Sequence, residues 1–427
     1  MADRLKILWV SHMAPSPPRS GAQARIHGLM TNVAKHHDVT AVVLVEPEFD
    51  LDECRRAMSE YCRELVLIPN LNRSSGMGKR LLQLRSLASH RSFDRLRVSV
   101  AETQRVIDRL EREQRFDVVN LEFPYLYHLK LRQSPPGTRP PPVVVDTHEI
   151  AYDLARQMAS TEVGVTRRVY GSVNWRKLRH EERAAFRDAD GLCACSAADG
   201  ERLQKDAPGA RIVVIPNAAD VDFYQPRPSD PPPDGRTLVY FGLLSTYPNI
   251  DAVRFLMQEI WPRVAAARPD ARCKIIGGKP SAEMKAHAGP RVEVTGFVDD
   301  LRPHLASAAG IAVPLRFGGG TRLKIVEGMA MGKPIVSTRL GAEGIDVTDE
   351  KDILLADDAD AFAKQLIRLL DDSALGSRLG QAARTLATER YSWAAAAVAL
   401  NSFFHQVIER RYSRETATKP GASAQNY

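Results

Sequence analysis

Short runs rich in Val, Ile and Leu recur through the first half of the chain, at Lys6 to Ser11, Val39 to Val45, Leu65 to Pro69, Val118 to Leu121, Val143 to Asp146, Gly191 to Cys195 and Ile212 to Ile215. They carry few polar interruptions, so each reads as a strand buried on both faces, as in a parallel sheet. Between them, Ala22 to His36, Leu51 to Cys62, Val100 to Gln114, Thr166 to Ala189 and Ala197 to Lys205 place apolar residues mostly at helical spacing. Such alternation predicts βαβ units. The run Gln225-Pro-Arg-Pro-Ser-Asp-Pro-Pro-Pro-Asp-Gly235 then breaks the pattern, because proline lacks the amide donor that helix and interior strand need. Alternation resumes with strands at Thr237 to Gly242, Cys273 to Gly277, Val292 to Gly296, Gly310 to Pro314, Pro334 to Thr338 and Ile353 to Ala356. Helical runs at Asp358 to Leu370, Leu375 to Thr388 and Trp393 to Arg411 follow.

The expected architecture is α/β, with two Rossmann-like doubly wound parallel-sheet domains facing one another. The first spans residues 1–225, a proline-rich linker takes 226–236, and the second domain spans 237–392. A helix at 393–411 and a frayed tail at 412–427 complete the chain. Its 427 residues suit that count, at roughly 150 residues per domain. In open parallel sheets ligands bind beyond the carboxyl ends of the strands, so the chemistry is expected in a cleft between the domains.

Composition narrows the partners. A net charge of +7 suits a ligand or surface that carries phosphate. No zinc finger, ribonucleoprotein aromatic motif or dense basic tail is present, so nucleic acid is not expected. Cys54, Cys62, Cys193, Cys195 and Cys273 lack zinc spacing and read as reduced thiols packed in the core, with no metal assigned. No apolar run approaches the roughly 18–20 residues of a spanning helix, and the N-terminus lacks the apolar segment of a secretory signal. A cytoplasmic protein is expected.

Chemistry is concentrated in a few segments. Ser11-His-Met-Ala-Pro-Ser-Pro-Pro-Arg-Ser-Gly21 leads from a strand into a helix, and Gly21 is either a turn glycine or a point where backbone approaches a ligand. The richest segment is Val313-Pro-Leu-Arg-Phe-Gly318-Gly-Gly-Thr321-Arg-Leu-Lys324-Ile-Val-Glu327. Gly318, Gly319, Gly320 and Thr321 free backbone amides toward an anion, ahead of a helix expected to run from near Thr321 to around Gly332. Arg322 and Lys324 supply the two cations that a diphosphate leaving group needs as its bond breaks. Glu327, further along that helix, is placed to accept hydrogen bonds from sugar or ribose hydroxyls. No Gly-x-Gly-x-x-Gly follows the first strand and no P-loop occurs anywhere, which argues against a dinucleotide dehydrogenase and a P-loop enzyme.

Asp146-Thr147-His148-Glu149 follows another strand, so His148 is either a cleft-facing contact or a structural residue in an N-cap motif led by Asp146. Glu122, at a neighbouring strand end, is a weaker candidate for holding an acceptor, against a surface carboxylate. Arg73, Lys79, Arg80, Arg85, Arg91, Arg95 and Arg97 interleave with Leu81, Leu82, Leu84, Leu87, Phe93 and Leu96, with only Asp94 opposing. That stretch is either a solvated helix face or a surface that attaches the protein peripherally to the inner, anionic face of a membrane.

Taken with Val292-Glu-Val-Thr-Gly-Phe-Val-Asp-Asp300, Val214-Ile-Pro-Asn-Ala-Ala-Asp220 and Gly341-Ala-Glu-Gly-Ile345, the glycine-rich loop and Glu327 make the chain resemble the retaining, nucleotide-sugar-dependent glycosyltransferases of family GT4. The resemblance covers nearly the whole chain and implies the GT-B fold, a second domain that binds the donor, a first that binds the acceptor, and a C-terminal helix that returns to the first domain. It implies sugar transfer from a UDP or GDP sugar to a hydroxyl acceptor, which a lipid-linked acceptor would suit, in cell-surface polysaccharide or glycoconjugate synthesis, with no cofactor and no required metal. It also carries His148 as a contact to the donor sugar. On this reading the catalytic set is His148, Arg322, Lys324 and Glu327. Donor contacts come from Gly21, Gly242, Gly296, Phe297, Val298, Gly318, Gly319, Gly320 and Thr321. Three positions depart from the family's commoner pattern: Gly319 stands where a Glu is frequent, Phe241 to Asn249 carries no basic pair, and Ala218 follows Pro216-Asn217 in place of glycine. Gly-Gly-Gly-Thr-Arg-x-Lys and Tyr-Pro-Asn read as one branch's wording. A rival from another class, prompted by Gly319, is a catalytically silent sugar- or nucleotide-binding subunit of a polysaccharide-assembly complex.

Overall fold

Strands β1 (Lys6–Ser11), β2 (Asp38–Val45), β3 (Glu64–Pro69), β4 (Val118–Glu122), β5 (Val143–Asp146), β6 (Gly191–Ala194) and β7 (Ile212–Val214) form one sheet in the order β3-β2-β1-β4-β5-β6-β7, with every pairing parallel. A second all-parallel sheet takes β8 (Thr237–Phe241), β9 (Arg272–Ile276), β10 (Val292–Gly296), β11 (Gly310–Val313), β12 (Ile335–Ser337) and β13 (Leu354–Leu355) in the order β10-β9-β8-β11-β12-β13. In both, the chain runs outward from a central strand, returns, and continues to the other side, which is doubly wound topology. This computed structural model describes residues 4–72, 76–131, 134–135, 137–161, 164–317 and 321–417.

Each sheet has its own core. In the first, Leu8, Val10, Val119, Leu121, Val143 and Val145 pack with Ile107, Leu110 and Phe186 from helices. In the second, Val239, Phe241, Ile311 and Val313 pack with Ile325, Val326, Met329 and Leu366. The chain divides accordingly: residues up to Ile215 join those from Ala397 onward in one unit, and Pro216–Ala396 form the other. The Trp393–Ala417 helix straddles that division. Within the first unit its Phe403 and Val407 lie against Gly191, where any Cβ would come within 2.9 Å of them. Arg411 pairs there with Asp190 at 3.1 Å.

Polar caps explain several helix starts. Ser20, Asp50, Ser196, Asp358 and Asp372 each accept from a backbone amide inside the first turn of the helix they precede. The proline run belongs to the second unit, where Asp234 accepts from the Thr237 amide at 2.8 Å and so ties it to the start of β8. The structure differs from the periodicity in places. The helix from Leu51 stops at Ser59, and the one expected from Thr321 begins at Leu323 and ends at Ala330, with Gly332 at φ +64° beyond it. The basic stretch is two helices, Gly76–Leu87 and Phe93–Val98, the second N-capped by Ser92. Its Arg95 and Arg97 pair with Glu181 and Glu46 from elsewhere in the chain, so acids beyond Asp94 oppose it.

Candidate functional site

In the second unit the carboxyl ends of the central strands lead into glycines. Gly242 follows β8 at φ +152°, Gly277 follows β9 at +153°, and Gly296 ends β10 at +78°. A Cβ on Gly277 would lie 1.8 Å from the Gly242 carbonyl oxygen, so these two loops touch backbone to backbone as only glycine allows. Lys324, one residue into the Leu323–Ala330 helix, reaches back to the same place. Its Nζ donates to Asn249 Oδ1 at 2.7 Å and Tyr240 Oη at 2.9 Å, and sits 4.2 Å from the Tyr240 ring centroid. It would also lie 3.0 Å from a Cβ on Gly242. The Phe241 to Asn249 loop has no cation of its own, and Lys324 brings one to it. Burial, reinforced by the charge of Arg322, lowers the Lys324 ammonium to about 7.

Arg322 precedes that helix as its capping residue, and Thr321 is buried beside it with its carbonyl accepting from Asn217 Nδ2 at 2.7 Å. Burial pushes Glu327 up to about 7, against the hydrogen bond from the Tyr224 hydroxyl and the charge of Lys324, which both pull it down. Residues 217–224 thus hold the loop through Asn217 and the helix through Tyr224. Phe297 stands 63% exposed just past β10, and Val298 packs against the core. Gly318, Gly319 and Gly320 lie outside the described residues. Arg316, just before them, is bound bidentately to Asp251 at 2.8 and 2.9 Å.

In the first unit β4 and β5 pair with Glu122 opposite Asp146, which puts two carboxylates side by side at the carboxyl edge of the sheet. Glu122 is fully buried, which corrects its reading as a surface carboxylate. Its Oε2 lies 2.6 Å from His148 Nε2, and its Oε1 accepts from Asn120 at 3.0 Å. Burial raises the Glu122 carboxyl above its ordinary value, while the His148 hydrogen bond opposes the shift. Asp146 does not lead an N-cap: Arg25 Nε and Nη2 each donate to it at 2.9 Å, and Arg25 Nη1 donates to the Ile215 carbonyl at 2.9 Å. Burial alone would raise the Asp146 carboxyl, but the charges of Arg25 and His148 and the Arg25 hydrogen bonds hold it below its ordinary value. His148 is itself buried, stacked on Phe123 with ring centroids 4.0 Å apart. Both residues adopt positive φ, 35° and 74°, which is rare outside glycine. Strain of that kind clusters at functional sites.

Glu122, Asp146 and His148 offer ligand atoms within 4.8 Å of one another. Both Asp146 oxygens already accept from Arg25, however, so a guanidinium supplies the positive charge that a cation would bring. Gly21 is the exposed first residue of a helix capped by Ser20. Sequence reasoning missed Arg25, Tyr224 and the bond between Asn249 and Lys324. Arg25 did leave a signal: it lies on the same helix stripe as Ile26, Leu29 and Val33, where an arginine must find a buried partner.

Residues 19–223 match the family model described as Glycosyltransferase Family 4, and residues 235–372 match the one described as Glycosyl transferases group 1. Among curated proteins the chain is 27% identical over 200 residues to a GDP-mannose-dependent monoacylated alpha-(1-6)-phosphatidylinositol monomannoside mannosyltransferase of Corynebacterium glutamicum, covering 42% of this chain and 52% of that protein. The chain thus spans about half the length of the curated relatives it matches. Solved structures match in fold: sucrose-phosphate synthase from Thermosynechococcus elongatus has a TM-score of 0.71 at 16% identity over 95% of this chain and 100% of that one. Anabaena HepE in complex with UDP-glucose has a TM-score of 0.60 at 14% identity over 96% of this chain and 100% of that one.

Proposed function

The chain belongs to the GT4 glycosyltransferases, with their GT-B fold, and on that premise we propose that it moves a sugar from a nucleoside-diphosphate donor to a hydroxyl acceptor with retention at the anomeric carbon. One observation carries the reading: Lys324 is held over Tyr240 and Asn249 beside Gly242, at the carboxyl end of β8, where a diphosphate would meet a cation and glycine backbone together. Arg322 and Lys324 then neutralise the diphosphate as it leaves, so the reading requires no metal. Glu327 exchanges its Tyr224 partner for ribose hydroxyls. Departure on the face from which the acceptor arrives gives retention through an oxocarbenium-like state, with positioning and electrostatics supplying the rate. In the first unit His148, fixed by Glu122 and Phe123, serves as the donor-sugar contact.

The donor is of UDP or GDP type. The relative dependent on GDP-mannose and the neighbour holding UDP-glucose support both classes. The lipid acceptor in that relative's name supports a lipid-linked hydroxyl acceptor here, and so synthesis of a cell-surface glycoconjugate.

The test is a panel of nucleotide sugars screened for protection against thermal unfolding, followed by transfer of labelled sugar to a membrane extract with donor hydrolysis counted separately. A donor at 100 times its dissociation constant stabilises by about 2.7 kcal/mol. Gly319→Glu is expected to impair transfer, since it adds bulk and a negative charge to a glycine-rich segment of the sequence assigned to an anionic donor. A wild type that binds donor but neither transfers nor hydrolyses any sugar, while Gly319→Glu gains turnover, would refute the enzyme reading and leave a binding subunit.

A further inference from the structure

Exposed large apolar side chains are ordinarily scattered singly over a protein surface. Here Leu71, Met77, Leu81, Leu84 and Leu87 are exposed within one short stretch, and Val165 and Val169 on the Val165–Asp188 helix are exposed as well. The Gly76–Leu87 helix shows the cause. Its buried residues are Leu82 and Ser86, which share one face. Lys177 of the Val165–Asp188 helix donates to the Ser86 carbonyl and, at 2.8 Å, to that of Ser89, which fixes this face inward. Met77, Leu81 and Leu84 follow i, i+4, i+7 spacing and share the opposite face. They are 79%, 60% and 62% exposed. The apolar stripe of this helix therefore points away from the core, the reverse of an ordinary surface helix.

Charge decides what would cover it. Arg80 and Arg85 are exposed on either side of the stripe, and no acidic residue occurs from Gly76 to Phe93. The neighbouring helix continues the pattern: Gly164 to His180 contains no acid, and its Arg167, Arg168, Arg176 and Arg179 are exposed. Arg95 and Arg97, by contrast, are engaged with Glu181 and Glu46 and take no part. An apolar face alone would suit a protein partner. One bordered by cations without acids is matched to an anionic lipid surface, apolar side chains entering the acyl boundary and cations meeting headgroup phosphates.

We propose that the outward face of the Gly76–Leu87 helix docks the first unit on an anionic bilayer, with Met77, Leu81 and Leu84 inserted and Arg80 and Arg85 at phosphate level. No described helix is long and apolar enough to cross a membrane, so the contact is with the surface. The inference rests on the sugar-transfer reading only for its use, which is to hold the protein beside a lipid-linked hydroxyl. Its test needs neither donor nor acceptor.

The full-length protein is sedimented with vesicles of phosphatidylcholine alone and of phosphatidylcholine mixed with phosphatidylglycerol. Binding is expected to the mixed vesicles, to be weak on the neutral ones, and to fall as salt shortens the screening length. Arg80→Ser with Arg85→Ser should lower the partition coefficient by roughly fivefold for each arginine, the equivalent of about 1 kcal/mol each. Leu81→Ser with Leu84→Ser should lower it on the order of tenfold or more through lost apolar burial. These side chains are exposed, so both variants should unfold at the wild-type temperature. Failure of the wild type to sediment with mixed vesicles would overturn the proposal and leave the face to a protein partner. Equal binding to neutral vesicles, or binding unchanged by the leucine pair, would also overturn it. Intact vesicle binding without sugar transfer would count against the catalytic reading alone.

Discussion

Replacing Arg25 with Met keeps an apolar stem of similar length on its helix but removes the guanidinium that holds Asp146. Both side chains are almost wholly excluded from water, at 1% and 2% exposure. Two charge-assisted bonds of 2.9 Å disappear, the Ile215 carbonyl loses its 2.9 Å donor, and a buried carboxylate is left without its counter-charge. Breaking a buried pair from one side costs about 3–5 kcal/mol, a large share of the roughly 5–15 kcal/mol that stabilises a typical domain. With a urea dependence of about 3 kcal/mol per molar, the upper end of the usual range as suits a unit of this size, the unfolding midpoint of the first unit should fall by about 1–2 M. Arg25→Met combined with Asp146→Asn should be less destabilised than the two single changes add up to, because neither charge is then stranded. The pH dependence has a definite sign. Asp146 is held below its ordinary value of 3.8 in the folded protein, so the stability it contributes is present above that value and is lost as pH falls through the lower folded one. The gap between wild type and Arg25→Met should therefore be full near neutral pH and close in acid. A loss under 1 kcal/mol at pH 7, or a gap unchanged down to pH 3, would refute this account of the pair; the threshold is about the scale of a surface ion pair.

Burial lowers the Lys324 ammonium to about 7, so its protonated fraction falls as pH rises through that value, and donor affinity measured by calorimetry should weaken from about pH 7 upward. Lys324→Arg stays charged and should flatten that dependence; a slope unchanged in this variant would assign it to another group. Arg322→Ala and Lys324→Ala should each lower turnover by roughly a hundredfold, and unchanged turnover in both would remove them from the diphosphate site. Gly242→Ala places a Cβ 3.0 Å from Lys324 Nζ at φ +152°, and should weaken nucleotide binding while leaving the first unit's unfolding transition in place.

How far the molecule could be read from its sequence depends on the range of the interaction involved. Strands such as Lys6–Ser11 and Val143–Asp146 match their Val- and Ile-rich runs, because burial on both faces leaves a mark on nearly every residue of the strand. The Ala151–Thr161 helix was not legible: it has no fully buried side chain among those described except Ala159, so its pattern is weak. The candidate cations Arg322 and Lys324 were visible as a local cluster. The pairing of Glu122 with His148 was not, because it exists only once β4 and β5 align in register. Tyr224 and Glu327 likewise meet only after the chain has passed through β8 to β11, and nothing near either residue announces the other. The basic stretch was legible as a composition, but which of its leucines face outward was decided by Lys177, far along the chain.

The straddling helix has a consequence for synthesis. Leu400, Phe403, Phe404 and Val407 are buried side chains of the segment from Ala397 onward, which completes a unit whose remainder precedes Pro216. A ribosome must make the whole of Pro216–Ala396 before it delivers them, a delay on the order of 10–40 s at ordinary elongation rates. Through that interval the nascent first unit lacks the Phe403 and Val407 side chains that cover Gly191, and the surface they would cover is open to chaperones and to other nascent chains. Aggregation during expression should therefore respond to C-terminal truncation more steeply than to deletions of equal length in surface loops, and a peptide covering Ala397–Ala417 supplied in trans should protect a fragment ending at Ile215.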